Sequence, residues 1–154
     1  MTVKVIPFEN KYAIKTRKLI INILENEFNF LKIKRPDLWQ IAKTYQTAKG
    51  NFWLALDTSD VVGTIALQDC GDGRGYLRRM YVRKEYRSKG LGSKLLSVVL
   101  NFAKNNHYKK IYLATTDAMT QANKFYCKNG FKKIKRLPND IPAPGDSIFY
   151  EILI

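Results

Sequence analysis

A strand-forming run from Tyr76 to Val82 leads into Arg87-Ser88-Lys89-Gly90-Leu91-Gly92, and an apolar stripe at helical spacing, Leu91, Leu95, Val98 and Phe102, starts inside that turn. A strand that passes through a basic, glycine-containing turn into a helix leaves the first backbone N–H groups of the helix without intrahelical acceptors, and the helix dipole adds partial positive charge to them. Gly90 and Gly92 carry no Cβ, so an anion can approach the main chain. Arg87 and Lys89 add full charges, and Ser93 adds a hydroxyl. The junction therefore reads as a cradle for a phosphate or diphosphate.

The spacing narrows the choice of ligand. A nucleoside-triphosphate loop needs four residues between its glycines followed by Gly-Lys-Ser/Thr, which this stretch lacks. A dinucleotide fingerprint needs a third glycine two residues past Ser93, where Leu95 stands. The upstream Gly71-Asp72-Gly73-Arg74-Gly75 has alternating glycines but lacks the strand-then-helix context of a nucleotide fingerprint, so it reads as a turn.

Arg87, Gly90 and Gly92 resemble, position by position, the acetyl-CoA signature Gln/Arg-x-x-Gly-x-Gly/Ala of the GNAT superfamily of N-acetyltransferases. Downstream, Asn123-Lys124-Phe125-Tyr126-Cys127-Lys128-Asn129-Gly130-Phe131 resembles the closing helix-to-strand segment of that family, and Leu77 to Val82 resembles its central strand. The likeness runs from about Val61 to Phe131, and residues 1–50 carry no comparable signature.

The chain has 154 residues, the size of one domain, and 1–154 reads as a single domain without repeats or linkers. No apolar run is long enough to span a bilayer, and Met1-Thr2-Val3-Lys4-Val5 lacks the apolar core of a secretory signal, so a cytoplasmic protein without membrane contact is expected. Cys70 and Cys127 are far apart and have no histidine cluster near them, which gives no reason to expect a metal or a disulfide framework. The formal charge of +14 raises the possibility of a nucleic-acid partner. The lysines are spread along the chain without a basic helix, so nucleic acid is disfavoured against a lysine-rich surface that also serves a polyanionic coenzyme.

Elsewhere the periodicity predicts a strand over Val3–Ile6, a helix from about Asn10 to Phe30, and a shorter helix around Trp39, Ala42 and Tyr45. A hairpin is expected from Phe52–Leu56 and Val61–Leu67 about the turn Asp57-Thr58-Ser59-Asp60. Further strands fall at Ile111–Thr115, Phe131–Lys135 and Ser147–Ile154, with a helix over Met119–Lys128. These elements give an α/β chain, α+β by another count. The resemblance implies a mixed, mostly antiparallel central sheet of six or seven strands, splayed at its centre and flanked by about four helices.

By the same resemblance, acetyl-CoA is the cosubstrate, held by Met80, Tyr81, Val82, Arg87, Ser88, Lys89, Gly90, Leu91, Gly92, Ser93, Asn123 and Tyr126. The backbone of Met80 and Val82 would hold the pantetheine arm, Asn123 would contact the coenzyme through its amide, and Tyr126 would be the general acid for the departing thiolate. Direct attack by a primary amine fits a chain whose one histidine, His107, forms no assignable nucleophile pair. Many relatives place a glutamate early on the central strand as base, but Tyr76, Arg78 and Arg79 stand there; Glu27, Asp69, Asp117 and Asp146 are candidates, none assigned.

The acceptor pocket is expected between the first two helices, with Phe28, Phe30, Trp39 and Tyr45, and the proline-rich stretch Pro138 to Asp146. The positive charge disfavours a polyamine and favours a neutral or acidic amine such as an amino acid or peptide terminus. Two other functions remain open at this point: a coenzyme-binding sensor without turnover, and an RNA- or ribosome-associated basic protein. A monomer or homodimer is expected.

Overall fold

Strand β2 (Asn51–Asp57) shows why the chain forms layers. Phe52, Leu54 and Leu56 belong to one apolar cluster, whereas Trp53 and Ala55 belong to another on the opposite face, and all five are buried. A strand alternates its side chains between faces, so an unbroken apolar run requires cover on both sides.

The computed structural model describes residues 2–31 and 34–154. Seven strands form one sheet in the order β1-β2-β3-β4-β5-β7-β6. Besides β2 these are β1 (Val3–Pro7), β3 (Asp60–Asp69), β4 (Arg74–Val82), β5 (Lys110–Thr115), β6 (Lys132–Ile134) and β7 (Ile148–Leu153). Among the described residues, only β4 and β5 run parallel, and every other pair is antiparallel. The helices are α1 (Ala13–Asn22), α2 (Ile41–Tyr45), α3 (Leu91–Asn105) and α4 (Thr120–Lys128). The expected mixed, mostly antiparallel sheet with about four helices is therefore present.

The cluster on one face joins Leu19, Ile20 and Ile23 to Leu38, Ile41 and Tyr45. The other face carries α3, whose Leu95 and Val99 are fully buried, together with Tyr126 of α4. Burying side chains of this kind contributes about 1.5–3 kcal/mol each, so α3 is anchored firmly and its N-terminus is held at a fixed place on the sheet. A third cluster, Tyr76, Tyr112, Leu137 and Ile141, packs the segment between β6 and β7 against the sheet.

The first helix departs from its expected extent of Asn10 to Phe30. It opens with a 3-10 turn (Asn10–Tyr12), runs as α1, and finishes in a π turn, Ile23–Glu27. Asn29 adopts φ 57, which ends the helix, and Phe30 N–H donates to the carbonyl of Leu24. Asparagine tolerates the left-handed region better than most side chains, so it serves as a helix stop here. Phe28 and Phe30 then stack at 5.9 Å outside the helix. Among the described residues, no helix is long and apolar enough to cross a membrane.

Candidate active site

β4 and β5 pair only over Arg74–Lys110, Gly75–Ile111 and Tyr76–Tyr112. Beyond Tyr76 the strands part, although β4 continues to Val82 and β5 to Thr115. A cleft of about 830 Å³ fills the gap, with Leu77 to Val82 on one side and Leu113 to Thr115 on the other. Met80, Leu113, Phe125 and Tyr126 give it an apolar lining.

At the end of the cleft stands the turn before α3. Gly90 is the N-cap of α3 at φ 83, and Ser88 also adopts a positive φ of 60. Among the described residues, the backbone N–H groups of Ser88, Lys89, Gly90, Leu91, Gly92 and Ser93 find no acceptor in the chain, whereas Lys94 N–H already bonds to the Gly90 carbonyl. Six neighbouring donors without partners, at a helix N-terminus anchored by Leu91 in the core, are what a diphosphate requires. A Cβ at Gly90 would meet nothing within 4 Å, so this approach is open.

The expected binding residues divide by what they do. Met80, Tyr81, Val82, Arg87, Ser88, Gly90, Gly92, Ser93 and Tyr126 all line the cleft. Leu91 is buried and Lys89 exposed, and neither side chain lines it. Arg87 reaches the cleft, yet its Nε donates to the Val82 carbonyl at 2.8 Å and its Nη1 and Nη2 donate to Glu27 at 2.5 and 2.9 Å. Asn123 stands outside the lining. Its Nδ2 donates to the carbonyls of Thr116 and Met119, and its Oδ1 accepts from the Tyr150 hydroxyl. A coenzyme contact through Nδ2 therefore means giving up one of these bonds, whereas Oδ1 keeps a second lone pair.

Tyr126 is buried, with its hydroxyl 3.7 Å from the sulfur of Met80. Burial, followed by the neighbouring Tyr81, holds its phenol far above the ordinary tyrosine range. It therefore stays protonated at neutral pH. Neither cysteine lines the cleft; Cys127 is exposed and Cys70 half-buried.

A β-bulge lies at the middle of β4: Ala66 pairs with Arg78 and Thr64 with Tyr81, so Arg79 and Met80 together oppose Ile65. Arg79 is left-handed at φ 53, and its carbonyl accepts from the Thr64 hydroxyl at 2.7 Å. Its guanidinium grips Asp37 through two hydrogen bonds of 2.8 and 2.7 Å, and the Tyr45 hydroxyl donates to the same carboxylate at 2.6 Å. Burial pushes the Asp37 carboxyl up, but the hydrogen bond and charge of Arg79, with Tyr45 and Arg78, bring it below its ordinary value. Sequence reasoning missed this triad. The three residues are separated in the chain, and Asp37 has the look of a surface residue beside Pro36.

The candidate bases are scattered. Glu27 is paired with Arg87, and Asp69 accepts from the Gly71 N–H at 3.0 Å. Asp117 does not line the cleft. Asp146 is half-buried near Arg78 and Arg79, and burial outweighs both arginines to raise its carboxyl above the usual range. The segment carrying it is fastened to the sheet by Arg74, whose Nη1 and Nη2 donate to Asp140 at 2.9 and 2.6 Å.

Residues 18–131 match the acetyltransferase (GNAT) family. N-acetylaspartate synthetase from Xenopus tropicalis is 38% identical over 132 residues, covering 84% of this chain and 46% of that protein. The chain spans about half the length of such relatives. Among solved structures, a GNAT-family acetyltransferase from Staphylococcus aureus is 36% identical, with a TM-score of 0.94 and 99% of both chains covered. The PaiA N-acetyltransferase from Thermoplasma acidophilum, solved in complex with coenzyme A, shares the fold at a TM-score of 0.83 and 18% identity, with both chains fully covered.

Proposed function

The chain belongs to the acetyltransferase (GNAT) family, and from that premise we propose that it transfers the acetyl group of acetyl-CoA to a primary amine of a small molecule or peptide. The run of unpartnered amides from Ser88 to Ser93, at the mouth of the parted strands, carries this reading. Acetyl-CoA supplies the acetyl group activated as a thioester.

The chain's own groups divide the work. Amides of the α3 turn take the diphosphate, and Gly90 and Gly92 keep that approach clear. The parted edge of β4, from Leu77 to Val82, offers main-chain groups to the pantetheine arm and a donor to the acetyl oxygen, where negative charge grows during attack. The amine must arrive neutral, with its extra proton already passed to water. Its lone pair forms the C–N bond, the C–S bond breaks, and the electron pair stays on sulfur. Tyr126, protonated and facing the cleft, gives its proton to that sulfur, and the nitrogen, which carries one proton too many once the C–N bond has formed, returns that proton to Tyr126 through water. No cysteine lines the cleft to form an acyl-enzyme, which supports direct attack. The name of the Xenopus relative, a synthetase of an N-acetyl product, supports nitrogen as the acceptor atom.

The test combines calorimetry with acetyl-CoA and a thiol-release screen across diverse amines. Coenzyme binding with amine-dependent thiol release is the expected result. Tight binding without release from any amine would establish the sensor function instead, and failure to bind acetyl-CoA would overturn both.

A further inference from the structure

The two adjacent arginines of β4 have opposite surroundings. Arg79 spends its charge on Asp37, in a pair that is nearly sealed from solvent. Arg78 also lines the cleft, but among the described residues its Nη1 donates to the neutral Gln68 side chain alone, at 3.2 Å. Its guanidinium lies 5.7 Å from the ring centroid of Tyr45 and 5.5 Å from that of Tyr76. Among the described residues, no carboxylate comes within ion-pair distance of it. Asp146 is near enough to feel Arg78, yet its carboxyl is shifted up by burial, the reverse of what an ion-paired carboxylate shows.

A guanidinium with two aromatic rings within 6 Å is partly shielded from water. Its planar fork matches a carboxylate through two parallel hydrogen bonds. We propose that Arg78 binds a carboxylate of the acceptor, so that the substrate carries its reacting amine and a carboxylate in one small molecule, as a free amino acid does. This rests on the acetyl-transfer reading above. Arg78 is then the specificity-determining residue, and Tyr45, shared with the Asp37–Arg79 pair, holds it in position.

The assignment is tested on the full chain with L-leucine, glycine and L-aspartate, each compared with its α-carboxamide. Thiol release gives kcat and KM, and calorimetric titration of the same probes into the coenzyme A-loaded protein gives affinity without turnover. The unaltered protein should favour at least one acid over its amide. Arg78→Gln should raise the KM of that acid about tenfold or more while changing the KM of the amide much less, and Arg78→Lys should restore part of the preference. Equal losses on acid and amide, or an unaltered protein that favours the amides or binds none of the probes, would overturn the proposal. Acid-selective binding with no thiol release would sink the acetyl-transfer reading alone.

Discussion

Arg87 donates both of its terminal guanidinium nitrogens to Glu27, which lines the cleft with it, so one cation of the proposed diphosphate turn is already engaged by an anion. The pair is about one-third exposed on both sides, which limits its own worth to stability. Its larger effect is electrostatic: a carboxylate at this place repels an incoming diphosphate. Glu27→Gln should therefore tighten acetyl-CoA binding several-fold, by roughly 1 kcal/mol or less. Calorimetry at two salt concentrations checks this, and the gain should shrink at the higher one. An unchanged or weakened affinity would show that the pair serves the coenzyme site by holding it in shape.

Tyr126→Phe should leave the Kd of acetyl-CoA unchanged and lower kcat by about a hundredfold. Because burial holds the phenol far above its ordinary range, the unaltered protein should show no fall in rate from pH 8 to about pH 10 that depends on this residue. Pre-steady-state thiol release across that range is the measurement. Normal turnover in the variant would remove Tyr126 from the chemistry.

The two glycines of the turn should respond differently. At Gly92 an added Cβ would lie 3.6 Å from Met80 Cε and Phe125 Cε1, an ordinary contact, so Gly92→Ala should bind coenzyme nearly as well as the parent. Gly92→Leu pushes a branched side chain toward the Met80 and Phe125 wall and should weaken acetyl-CoA at least about tenfold. Gly90 has space around it but holds φ 83, so Gly90→Ala should cost about 1 kcal/mol of stability, read in thermal unfolding.

How much of this was legible in the sequence follows the distance over which each feature is built. The α3 turn is local, since its glycines, charges and the following apolar stripe lie within a few residues, and the sequence alone points to an anion there. The density of apolar residues in Phe52–Leu56 likewise reports a strand covered on both faces. The end of the first helix could not be read, because its stop depends on the conformation of Asn29, and Glu27 makes its partner 60 residues away. Asn123 matched a family motif, yet its amide bonds to Thr116, Met119 and Tyr150, a role that only the packing of α4 against β7 reveals.

The Asp37–Arg79 pair carries the last prediction, which concerns acid stability. Asp37 titrates below its ordinary value of 3.8 in the folded chain, so the unfolded chain binds its proton first as pH falls. The stabilisation is complete above the unfolded value and disappears as pH drops through the folded one, below 3.8. Asp37→Ala should lose about 3 kcal/mol at neutral pH, a fall of roughly 6–12 °C in Tm, because it leaves Arg79 buried without a counterion. Asp37→Asn keeps a hydrogen-bond acceptor but not the charge, and should fall between the two. Measured from pH 7 down to pH 3, the gap in stability between the parent and Asp37→Asn should stay constant to about pH 4.5 and narrow below it. A gap that narrowed near pH 6 would contradict the lowered carboxyl and would implicate a group with a raised value, such as Asp146, in the acid response.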